Sequence, residues 1–98
     1  MSKSDEEHLR RKELERGQQA AFLLEHEIFN DALETLKDTL REGWEATAVT
    51  QEEEREKIYH MLVFAKQFEN ELRSIIQTGK FASQQLEDMR NGRTRTVN

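Results

Sequence analysis

Three histidines, twenty carboxylates and four serines are the side chains here whose spacing could support chemistry. A di-iron helical bundle needs Glu-x-x-His on a helix, with further glutamates facing it. In this chain the residue three before His60 is Lys57, and the residue three before His26 is Leu23. Asp5-x-x-His8 has the spacing but stands in a polar lead outside any core. Glu56 and His60 share a helix face at i,i+4, yet they flank an apolar seam instead of occupying its centre. The pattern predicts solvated or helix-capping histidines, with a metal-binding bundle as an alternative. Ser2, Ser4, Ser74 and Ser83 have no histidine with an orienting acid in a recognisable motif. Gly79-Lys80 lacks the glycine-rich run and the following Ser or Thr of a phosphate loop. Paired carboxylates are what solvated helix faces carry. The sequence therefore predicts no enzyme and no cofactor.

A nucleic-acid contact would rest on the tail, residues 91–98, together with Arg90. Arg90, Arg93 and Arg95 lie there with no acid, giving a local net charge of +3. They are the possible phosphate contacts. Gly92 also reads as a helix C-cap with cations at the negative end of the dipole. Residues 17–89 hold seven bases against fifteen acids, a net of −8 that would repel phosphate over the centre of the chain. Residues 1–16 balance to zero.

The elements that must position any site are helical. The chain has 98 residues, a net charge of −5, no cysteine and no proline. That suits one domain with a modest core. It excludes a disulfide scaffold and cysteine-ligated zinc, and it leaves nothing to interrupt long helices. The longest apolar runs are five residues, so no membrane span is expected. The N-terminus lacks the apolar stretch of a secretory signal.

Residues 1–16 offer only Leu9 and Leu14 beyond Met1 as apolar side chains, so the lead reads as disordered or as a frayed extension of the first helix. Glu6–Arg10 and Glu7–Arg11 stand at helical i,i+4 spacing. From there Phe22, Phe29, Leu33, Leu36, Leu40 and Trp44 are spaced 7, 4, 3, 4 and 4, one face of a helix over about 18–46, widened by Ile28 and Ala32. Thr50-Gln51-Glu52-Glu53 fits a capping box that would start a second helix, over about 51–90. That helix carries an unbroken heptad. Ile58, Ala65, Leu72, Gly79 and Leu86 take the a positions, and Met61, Phe68, Ile75, Ala82 and Met89 take d. Gly79 either lets a partner backbone approach or ends the helix. Two such helices make an antiparallel hairpin with a thin core over residues 17–90. Trp44, Phe64, Phe68 and Phe81 cannot all be hidden inside it, so self-association into a helical bundle is expected.

The run Leu23-Leu24-Glu25, then Phe29, Ala32-Leu33, Trp44, Thr47, Glu54-Arg55-Glu56, Tyr59, Leu62 and Thr78-Gly79-Lys80 resembles a class of small helical tailed-bacteriophage proteins of undefined role, often encoded among packaging and head genes. It is also similar, more loosely, to the helical oligomerisation cores of small terminase subunits, without their N-terminal DNA-binding domain. The resemblance implies an assembly, adaptor or DNA-packaging accessory role in the host cytoplasm or the virion, and it carries no catalytic residues with it. The combined expectation is an all-α, non-enzymatic homo-oligomer that acts through protein–protein contact along the ten heptad residues and Trp44. A nucleic-acid-associated protein using the basic tail is the alternative.

Overall fold

A computed structural model describes residues 2–92; Arg93 and Arg95, named above as phosphate contacts, lie outside them. The chain is helical throughout, with no strand among the described residues. Three helices follow in order: α1 (Lys3–Glu25), α2 (Glu27–Glu45) and α3 (Glu52–Arg90). The expected hairpin of two helices is therefore corrected to three.

The stretch expected to form one helix over 18–46 is broken at His26. That residue adopts extended backbone (φ −75°, ψ 121°), and its side chain makes no capping hydrogen bond. Asn30 holds the break together. Its amide Nδ2 donates to the carbonyl of Leu24, an acceptor that the end of α1 leaves unpaired, and also reaches the His26 carbonyl at 3.3 Å. The lead, in turn, is regular helix from Lys3 onward. Ser2 caps it: its hydroxyl accepts from the Asp5 amide at 3.1 Å, and Asp5 and Glu6 sit in the first turn where the dipole favours acids. Arg11 pairs with Glu7 at 3.2 Å, as the spacing predicts, but Arg10 pairs with Glu13 at 3.1 Å and not with Glu6.

α3 starts one residue later than the capping box implies. The carbonyl of Gln51 accepts from the Arg55 amide, so Gln51 occupies the cap position. Its own side chain turns back, Oε1 accepting from the Ala48 amide at 2.6 Å. No hydrogen bond joins Thr50 to Glu53 among the described residues, which corrects the Thr50 cap. At the other end Gly92 takes φ 75° and its amide donates to the Met89 carbonyl, a left-handed helix terminus that glycine adopts without strain.

The chain divides into two compact units. One comprises, of the described residues, 2–22 and 72–92, where α1 lies antiparallel to the second half of α3. Its contact is made by small residues. Gly17, Ala20, Gly79 and Ala82 are buried, Ala82 completely so. A Cβ placed on Gly17 would stand 2.8 Å from the Gly79 Cα, so the two backbones touch. Gly79 thus admits a neighbouring backbone, and the helix continues through it. The other unit is residues 23–71, with α2 antiparallel to the first half of α3. Its buried residues are Leu33, Leu40, Ala65 and, unexpectedly, Lys37.

Candidate functional site

The charge pattern of α2 marks out the site. At 3.6 residues per turn, Glu27, Asp31, Glu34, Asp38, Arg41, Glu42 and Glu45 all fall in one arc of about 100°. The opposite arc, about 180° wide from Thr35 round to Trp44, carries no charge. A helix packed on one neighbour needs an apolar stripe of only about 100°. α3 covers part of the arc, burying Leu33 and Leu40, while Ile28, Ala32 and Leu36 remain exposed. α3 matches this from its side: Met61, Phe64 and Phe68 are 56%, 67% and 47% exposed. Between the two helices lies an open groove of about 610 Å³. Leu33, Leu36 and Leu40 line one wall, Met61, Phe64 and Phe68 the other, with Ala65 between them; His60 is the only titratable residue among those lining it.

The ten heptad residues divide between the two units. In residues 23–71, Ala65 is buried and Ile58 half-buried, while Met61 and Phe68 face the open groove. In the other unit Gly79 and Ala82 are buried, and Leu72, Ile75, Leu86 and Met89 are half-buried. The heptad thus meets α2 along its first part and α1 along its second. Trp44 sits at the end of α2. The Arg55 guanidinium stacks 3.8 Å from its ring centroid and donates to the Thr47 hydroxyl at 3.0 Å, which fastens the α2–α3 turn. Arg90 is exposed at the end of α3, with Glu87 at 3.9 Å. His60 Nε2 lies 3.9 Å from Glu56, both well exposed, and no group of three or more potential ligands gathers for a metal among the described residues.

Lys37 escaped the sequence reading. Its ammonium is held at 2.8 Å by both Glu34 and Glu69, which joins α2 to α3 beside the groove. The hydrogen bonds that the ammonium donates to Glu34, and then to Glu69, hold its pKa above the ordinary lysine value, and burial opposes them only in part. The signal for it was position: Lys37 follows Leu33 by four residues and precedes Leu40 by three, on the face that packs. A raised folded pKa means that the stabilisation is complete below about pH 10.4 and is lost as pH climbs through the folded value. Lys37→Met should cost about 1–3 kcal/mol at pH 7, because it strips Glu69 of a charged partner. In urea unfolding the gap between parent and variant should narrow above about pH 10.4. A gap that widens there would show that the ammonium does not stabilise the fold.

Compared with protein-family models, with curated proteins and with solved structures, the chain gives no match in any of the three.

Proposed function

We propose that this chain is a non-enzymatic helical oligomerisation and adaptor protein that self-associates through the α2–α3 groove. One observation carries the reading: three large apolar side chains, Met61, Phe64 and Phe68, stand exposed together against an uncharged wall of α2. Such contiguous apolar surface marks interaction sites in proteins of this size, and two antiparallel helices with an open apolar edge are half of a four-helix bundle. A role in phage particle assembly or DNA packaging rests on the residue resemblance alone and is part of the proposal.

The test is solution mass by sedimentation equilibrium over a range of concentrations, for the parent and for Phe64→Glu. The parent should give two or more times the chain mass. Phe64→Glu should be monomeric with unchanged helical circular dichroism, because the ring is two-thirds exposed within one chain and its loss leaves the fold in place. A parent still monomeric at millimolar concentration, where about 4 kcal/mol of association would already show, overturns the reading.

A further inference from the structure

Outside the heptad seam, α3 carries a second line of residues one heptad apart: Lys57, Phe64 and Glu71. Seven residues fall about 20° short of two full turns, so the three project along nearly one line of the helix. All three are exposed. Phe64 forms a wall of the apolar groove, with a cation one heptad before it and an anion one heptad after it. No ion pair among the described residues engages Lys57 or Glu71.

The geometry points to a second copy of this chain as the occupant of the groove, docked antiparallel with a two-fold axis through Phe64. This inference rests on the reading of the groove as a self-association surface and specifies its partner and orientation. Residues flanking an apolar helix seam set orientation by their charges. When α3 meets its own copy antiparallel, a rotation about Phe64 brings Lys57 opposite the partner's Glu71 and Glu71 opposite the partner's Lys57. Two ion pairs then close the two ends of one apolar contact, and the two Phe64 rings meet at the axis. The same patch serves both copies, as a two-fold interface requires. A parallel arrangement would set lysine against lysine and glutamate against glutamate at the same two places. The charge order along one helix therefore selects the antiparallel dimer.

The chain has no cysteine, so introduced cysteines report orientation without interference. Positions 57 and 71 are about 21 Å apart along α3, too far to bridge within one chain, since a disulfide needs Cα atoms within about 7 Å. The double variant Lys57→Cys/Glu71→Cys should form a disulfide-linked dimer with oxidised glutathione, read on a non-reducing gel, and Lys57→Cys alone should not. In parallel, Lys57→Glu and Glu71→Lys should each weaken the dimer roughly tenfold, and the double reversal should recover parent affinity. Crosslinking by Lys57→Cys alone, or a parent dimer that neither variant crosslinks, overturns the antiparallel arrangement while self-association stands. So does a double reversal no tighter than the single ones. A monomeric parent overturns the underlying reading as well.

Discussion

Leu33→Ala is expected to lower the stability of the protein by about 2–5 kcal/mol, a large share of the 5–15 kcal/mol typical of a domain. Leu33 is 8% exposed and packs where α2 meets α3, a region whose only other well-buried apolar side chains are Leu40 and Ala65. Few neighbours can collapse into the space that the truncation leaves. Phe68→Ala provides the contrast, because its ring is 47% exposed within one chain. In dilute protein it should cost much less than Leu33→Ala. If a second copy covers the groove, the parent's urea midpoint rises with protein concentration, and Phe68→Ala loses that dependence. Unfolding curves at two concentrations a hundredfold apart check this. Should Leu33→Ala cost no more than Phe68→Ala in dilute solution, the packing face of α2 has been placed on the wrong side.

The second large effect is one of sign. In an open helix, Gly→Ala stabilises by up to about 1 kcal/mol. At Gly79 the added Cβ would lie 2.9 Å from the Gly17 Cα and 3.1 Å from the Glu13 carbonyl oxygen, both backbone atoms that can yield only if α1 moves. Gly79→Ala should therefore destabilise by about 1–3 kcal/mol, and Gly79→Val by more, through overpacking. Gly43 is the internal control. A Cβ there meets only the Ile58 Cδ1, at 3.9 Å, an ordinary contact. Gly43→Ala should be neutral or stabilising by up to about 1 kcal/mol. Thermal unfolding of the two variants side by side settles it: if both shift in the same direction, the backbone contact between α1 and α3 does not hold in solution.

These contacts show which parts of the fold could be read in the residues. The heptad from Ile58 to Met89 was legible because apolar residues recur at fixed spacing, and the stripe from Phe29 to Trp44 was legible for the same reason. The break at His26 was not. Phe22 and Phe29 are seven apart, as in a continuous helix, and no glycine or proline stands between them. The amide of Asn30 reaches back to the Leu24 carbonyl at the break, a local contact without a compositional signature. The lead, read as disordered or as a frayed extension of the first helix, is the first part of α1. α1 packs through Gly17 and Ala20, which contribute almost no apolar side chain. Thr50 matched a capping pattern that the adjacent Gln51 displaced by one residue. As for the candidate site, its apolar walls were visible in the sequence. The salt bridge of Lys37 beside them was not, since a lysine at the edge of an apolar arc looks like an ordinary solvated charge until Glu69 is seen opposite it.

The single tryptophan, fixed at the α2–α3 turn by the Arg55 guanidinium, has a bearing on how the molecule is observed. Trp44 and the only tyrosine, Tyr59, both belong to residues 23–71. The unit formed by α1 and the end of α3 has phenylalanine alone, Phe22 and Phe81, and is nearly dark to ultraviolet emission. Intrinsic fluorescence therefore reports on one half of the fold, whereas far-ultraviolet dichroism sees every helix. Coincident transitions by the two methods would mean that both halves melt as one cooperative body. Separate transitions would expose a partly unfolded species that an emission titration alone would record as complete denaturation.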